Sequence, residues 1–239
     1  MQYLKKSDLI DIFRGKRVAI VGSGPTALEN ASGYIDSFDL VVRINNYKTK
    51  GIDTRGRPYD YRPHLGERCD YHFSFYGGSV RKTAAELKAD GVKGHLCKCP
   101  NDDCHVTPWH KKNHQEQGGD FRPIYRRRDG FWIAPVYVPE KAHYMELFNS
   151  LGKHVPTTGF ACIWELSQCY CDQMYITGFD FFKSSKHNVD EMWNPGKQDD
   201  PIKHMPDLEE QRFREMVGRN STLLLDGPLK KIVLRRRRQ

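Results

Sequence analysis

Four short polar turns hold the residues that could do chemistry. Gly22-Ser23-Gly24 follows the apolar run Val18–Val21 without a break. Glycines turn the backbone sharply and let it approach a ligand with no side chain between. Pro25 suits a helix start, where its missing N–H costs nothing. A helix over roughly Thr26–Ser32 would aim unbonded N–H groups at the turn, which makes an anion site. The third glycine of the dinucleotide fingerprint is absent, so the turn also reads as a tight turn and nothing more. The second strand, Leu40–Ile44, ends in Asn45-Asn46. Amides at that end of a strand either bind a ligand or shape the turn. Thr157-Thr158-Gly159 opens a third turn, where a threonine can cap a helix and still touch phosphate or ribose. Gly178-Phe-Asp180 closes the fourth.

The elements that must position these turns are legible as runs. Val18–Val21 is a short apolar run, the mark of a buried parallel strand, and Leu40–Ile44 and Met174–Thr177 read as further strands. Phe160–Cys171 has apolar residues at near-helical spacing: Phe160, Ile163, Trp164 and Leu166. A helix over Asp207–Val217 would carry Asp207 and Glu209 in its first turn, where acidic side chains favour the helix dipole.

The segments Val18–Tyr47 and Val155–Phe182 resemble the two large sialyl motifs of sialyltransferases. His204-Met-Pro-Asp-Leu-Glu209 resembles the very small sialyl motif, with its His-x-x-x-x-Glu spacing. The resemblance implies an α/β fold, a Rossmann-like three-layer α/β/α sandwich with a mostly parallel sheet. Strands near Val18, Leu40, Tyr71 and Met174 would lie side by side. It implies an inverting glycosyltransferase that moves sialic acid from CMP-sialic acid to a glycan hydroxyl. His204 would be the general base, with Asp207 or Glu209 orienting its ring or charging the helix start. His187 would hold the departing phosphate. Gly22, Ser23, Gly24, Asn45, Asn46, Thr157, Thr158, Gly159 and Asp180 would bind the donor. A bulky residue at Gly24 would then abolish CMP binding and leave the fold intact. No cofactor or metal is expected, since CMP is itself a sufficient leaving group.

The chain also departs from that family. Val18 stands where the animal-type enzymes have a bridged cysteine, and Ser23 where the small bacterial ones have an asparagine. Phe182 replaces the first of two bacterial tyrosines. CMP-Kdo, another CMP ester of a 2-keto sugar acid, is therefore the alternative donor. A nucleotide-binding α/β protein without transferase chemistry is the alternative class. The absence of a lysine-bearing phosphate loop argues against an ATPase. The absence of an Asp-x-Asp clamp argues against metal-dependent sugar-diphosphate transfer.

Length and composition bound the rest. A chain of 239 residues suits one domain over 1–239. His95–Asp129, dense in polar and charged residues, reads as an insertion or lid. Within it Cys97, Cys99, Cys104, His105, His110 and His114 bring zinc to mind, but Cys-x-Cys matches no standard finger. The reading is a polar insertion with free thiols, and structural zinc is the alternative. No stretch approaches about 20 apolar residues, and the N-terminus lacks a signal-peptide core. Cytoplasmic location and reduced cysteines follow as expectations. Net charge is +8. The basic end, 230–239, is expected to touch anionic membrane or to be a solvated tail, and no nucleic-acid motif accompanies it. Arg126–Arg128 could meet an acidic acceptor or the sugar carboxylate.

Overall fold

A computed structural model describes residues 3–45, 47–52, 56–74, 84–100, 135–183 and 204–234. The strands are β1 (Tyr3–Leu4), β2 (Arg17–Val21), β3 (Leu40–Ile44), β4 (Lys50–Ile52), β5 (Pro58–Asp60), β6 (Tyr71–Ser74), β7 (Gly94–Cys97), β8 (Val136–Tyr137), β9 (Gln173–Thr177) and β10 (Leu223–Leu225). The α-helices are α1 (Lys6–Phe13), α2 (Arg62–Leu65), α3 (Ala84–Ala89), α4 (Lys141–Ser150), α5 (Thr158–Leu166), α6 (Pro206–Arg219) and α7 (Gly227–Leu234).

Eight strands form one sheet in the order β1-β8-β7-β6-β3-β2-β9-β10. Every pairing in it is parallel. The strands expected near Val18, Leu40, Tyr71 and Met174 are indeed neighbours, as β6-β3-β2-β9. β4 and β5 form a separate antiparallel hairpin.

Alternation along the strands builds two cores, because successive side chains point to opposite faces. Val18, Ile20, Val42 and Ile44 pack with Leu9 and Phe13 of α1, with Phe160, Ile163 and Leu166 of α5, and with Phe213 of α6. Ala19, Val21, Val41 and Tyr175 face the other way, against Ala27, Ile35, Phe38 and Leu65. Among the described residues that second layer is thin. It consists of two 3-10 turns, Pro25–Glu29 and Ile35–Ser37, together with α2.

Three expectations on elements need correction. The helix expected over Thr26–Ser32 is only a five-residue 3-10 turn, Pro25–Glu29. Its chain is stopped by Asn30, whose side-chain amide turns back onto the Ala27 carbonyl at 2.6 Å. The helix expected over Phe160–Cys171 ends at Leu166. The polar insertion does not begin at His95, because β7 pairs with β6 and β8 in the middle of the sheet. His95 is fully buried there, and its ring meets His72 of β6 at 5.8 Å between centroids. Burial, and next the neighbouring His72, push the His95 pKa down to about 3, so it stays neutral in the sheet.

Candidate active site

The sheet changes direction of growth at β2 and β9. From β2 the chain moves to β3, and from β9 it moves the opposite way to β10. In open α/β sheets the crevice beyond the strand ends at such a point is where ligands bind. The turns after β2 and β9 meet there, backbone against backbone. The Gly22 N–H donates to the Thr177 carbonyl at 2.8 Å, and the Gly24 N–H to the Gly178 carbonyl at 2.9 Å. A Cβ on Gly24 would lie 2.7 Å from the Gly178 oxygen. One on Gly178, which has φ +77°, would lie 2.7 Å from the Gly22 oxygen. These glycines are therefore required by the protein's own packing. The expectation that a bulky residue at Gly24 spares the fold is overturned, because the obstructing atoms are backbone. Two of the N–H groups expected to hold phosphate are also already bonded. Ser23, exposed between them, is the part of the turn open to a ligand.

Asn45 leaves β3 at the same edge in the left-handed region, φ +53°. Asparagine tolerates that conformation better than most residues. Its N–H donates to the Phe73 carbonyl at 2.9 Å, and the His72 Nε2–H donates to its carbonyl at 2.6 Å. Its side-chain oxygen Oδ1 is buried with no hydrogen-bond partner among the described residues. So is Thr26 Oγ1, just after the glycine turn. An unpaired buried acceptor costs free energy, so a site prepared for a ligand is a physical reason for it. Asn46 and His187 lie outside the described residues.

Thr157 caps α5, as expected. Its Oγ1 accepts the Phe160 N–H at 3.2 Å. Glu209 then grips the cap from α6: the Thr157 N–H donates to Oε1 at 2.6 Å and the Thr157 hydroxyl to Oε2 at 2.7 Å. Burial raises the Glu209 pKa to about 7; the Thr157 bonds and the positive charge of Lys98 only partly oppose it. Two residues before Thr157, the Val155 carbonyl takes the Nδ1–H of His204 at 2.7 Å. A carbonyl can only accept, so Nδ1 carries the proton of this hydrogen bond. The ring is thus oriented by Val155, not by Asp207 or Glu209. Glu209 serves the threonine cap instead. The His-x-x-x-x-Glu spacing fastens α6 to two alternate residues of one extended segment.

Gly159 is shaped by a neighbour as well: a Cβ there would collide with the ring of Phe179. Thr158 is the first residue of α5 beside it. Asp180 accepts the Phe182 N–H at 3.0 Å and so braces a turn in which Phe181 and Phe182 both have positive φ, 52° and 58°. Asp226, which the sequence reading missed, ties the base of the crevice. Its Oδ2 accepts from Thr177 Oγ1 at 2.8 Å and from the Gly178 N–H at 3.1 Å. Its position before Gly227-Pro228, at a helix start, was the available signal.

No group of three or more His, Cys, Asp or Glu among the described residues is placed to hold a metal ion. Cys97 and Cys99 are buried; Cys104, His105, His110, His114 and Arg126–Arg128 lie outside the described residues. No described helix is long and apolar enough to cross a membrane.

No protein-family model and no curated protein matches the chain in sequence. Solved structures do match in fold. The monofunctional α-2,3-sialyltransferase Cst-I from Campylobacter jejuni superposes with a TM-score of 0.58 at 14% identity, covering 95% of this chain and 78% of that one. A variant of the sialyltransferase CST-II in complex with CMP gives 0.55 at 14% identity, covering 89% and 82%. A mammalian sialyltransferase gives 0.53 at 21% identity, covering 88% and 68%. The likeness is one of fold, and it spans both the bacterial and the mammalian enzymes.

Proposed function

We propose that the chain is an inverting, metal-independent glycosyltransferase that moves sialic acid from CMP-sialic acid to a glycan hydroxyl. The observation that carries this reading is His204, held by Val155 in the tautomer a general base needs, two residues from the threonine cap of α5. The fold shared with CMP-binding sialyltransferases supports the donor class. In this reading the acceptor hydroxyl gives its proton to His204 Nε2 as its oxygen forms a bond to the anomeric carbon. The bond from that carbon to the phosphate oxygen breaks on the opposite face, and its electron pair leaves with CMP. The transition state is oxocarbenium-like. Ser23, Asn45, Thr157 and Thr158 contact the donor, and His187 donates a hydrogen bond to the departing phosphate.

The test is release of CMP from CMP-sialic acid and from CMP-Kdo, each with and without glycan acceptors. Acceptor-dependent release from CMP-sialic acid is expected. Consumption of CMP-Kdo alone would change the donor and keep the reaction class. Release from neither would sink the transferase reading. The same proposal includes peripheral contact of the basic end with anionic lipid, supported by the exposed Lys230 and Lys231 on α7. Sedimentation with phosphatidylserine vesicles at low and high salt checks it, and salt-insensitive or absent binding would refute it.

A further inference from the structure

The peptide between Thr177 and Gly178 is held from both sides. Its carbonyl accepts the Gly22 N–H at 2.8 Å, and its own N–H donates to Asp226 Oδ2 at 3.1 Å. A trans peptide is planar and aims these two groups in opposite directions. Gly22 and Asp226 therefore grip one rigid plate from opposite edges. The Thr177 side chain repeats the link: its hydroxyl donates to Asp226 Oδ2 at 2.8 Å and accepts the Asn30 side-chain amide at 3.1 Å. Asn30 ends the 3-10 turn Pro25–Glu29 and takes the Tyr175 hydroxyl on its Oδ1. The segment 22–30 is thus fastened to Thr177 at both ends, by backbone at Gly22 and by side chain at Asn30. Asn30, Thr177 and Asp226 are all buried. The other oxygen of Asp226, Oδ1, accepts the Leu229 N–H at 2.7 Å and caps α7. A cap needs one oxygen, and serine supplies it as well as aspartate. Capping accounts for Oδ1 alone. A buried carboxylate is unfavourable unless its lone pairs are met, and those of Oδ2 are met by Thr177 and Gly178. Its negative charge also polarises the peptide and strengthens the bond from Gly22 on the far side.

We propose that Asp226 is a positioning residue for the donor turn Gly22–Gly24: its Oδ2 fixes the Thr177–Gly178 peptide, and that peptide sets where Ser23 meets the nucleotide. This rests on the glycosyltransferase reading above, which supplies the ligand. Ser23 is exposed between Gly22 and Gly24, whose N–H groups bond to the Thr177 and Gly178 carbonyls. Its place follows from those two bonds. Asp226 stands on the other side of the peptide and acts through it. Loosening that grip weakens donor binding and leaves the acceptor side, at His204, unchanged.

The experiment uses Asp226→Ser in the full chain. Serine keeps the α7 cap and is too short to hold the Gly178 N–H as well. CMP affinity by calorimetric titration falls on the order of tenfold, as for loss of one charge-assisted bond. In turnover of CMP-sialic acid the donor KM rises by a similar factor, while the acceptor KM stays within about twofold. Native amide exchange quickens at Gly22, Gly24 and Gly178, and the α7 amides keep their protection. Leu229→Ala is the control: it removes core packing from α7 without touching Oδ2, so it lowers the melting temperature and leaves the donor KM unchanged. Asp226→Asn, with one acceptor oxygen for both tasks, supplies the same comparison if the serine variant does not fold. Unchanged CMP affinity and donor KM would overturn the proposal and leave Asp226 a cap, while the glycosyltransferase reading stands. A fall in kcat alone, or equal loss of protection in α7 and the glycine turn, would mean a general loss of fold and overturn it as well. If the unaltered protein binds no CMP, the donor reading itself has failed, and this role of Asp226 with it.

Discussion

The Nδ1–H of His204 points at the carbonyl oxygen of Val155, 2.7 Å away and 49 residues earlier in the chain. A backbone acceptor cannot be removed by side-chain mutation, so the tautomer is set by the path of the chain itself. If His204 is the general base, as proposed, replacing it removes the base and leaves the glycine and threonine turns in place. His204→Ala is expected to lose about 100- to 10,000-fold in kcat and to keep CMP affinity. Near-normal turnover in steady-state assays would take His204 out of the mechanism.

Glu209 couples acidity to stability. Its carboxyl is raised to about 7 in the folded protein, chiefly by burial, above the ordinary value of 4.5. A raised acid binds its proton more tightly when folded, so the folded state is favoured at low pH. That stabilisation is complete below about pH 4.5 and declines as pH rises towards 7. The change is on the order of 3 kcal/mol. Glu209→Gln carries no titrating proton and lacks this slope. Urea unfolding of both proteins at pH 5 and pH 8 measures the difference. Parallel pH dependence in the two would refute the assignment.

The meeting of Gly22, Gly24 and Gly178 makes a packing prediction. Gly24→Leu is expected to destabilise the fold by several kcal/mol, because the Gly178 backbone cannot yield to a Cβ 2.7 Å away. Loss of CMP binding in that variant then follows from unfolding. A melting temperature equal to that of the unaltered protein would contradict this.

Asn45 separates binding from stability. Among the described residues its Oδ1 has no hydrogen-bond partner, and its φ is +53°, which glycine accepts without strain. Asn45→Gly is expected to change stability by less than about 1 kcal/mol and to weaken CMP binding about tenfold. A large fall in melting temperature with intact CMP affinity would mean that Asn45 only shapes the turn.

The sheet centre was legible because Val18–Val21, Leu40–Val42 and Met174–Ile176 are continuous runs of apolar and aromatic residues buried on both faces. β7 was not, since Gly-His-Leu-Cys has one strongly apolar residue and a histidine that pairs with His72 inside the protein. The Thr157 cap could be read locally, from a threonine before an apolar helix. The grip of Glu209 on that cap joins residues 52 apart, and no local pattern encodes it. The role of glycine at 22 and 24 was read as approach to a ligand. It is approach to a second backbone, and a turn seen in isolation does not show which backbone comes near. Asn30 explains the short turn after Gly24: its amide competes with the helix for the Ala27 carbonyl.

Arg17 of β2 pairs with Gln173 of β9, and β10 beyond it begins at Leu223. A nascent chain carrying the whole glycine turn therefore has nothing to dock it on until most of its length has been synthesised. Until then the β9-facing edge of β2 is an open row of backbone donors and acceptors beside Val18–Val21, the kind of edge that recruits other chains. Parallel pairing over such separations is slow, since a long loop must close before any contact rewards it. Truncations ending before Thr177 are expected to aggregate, and a holdase that covers β2 during synthesis would raise the yield of the full chain.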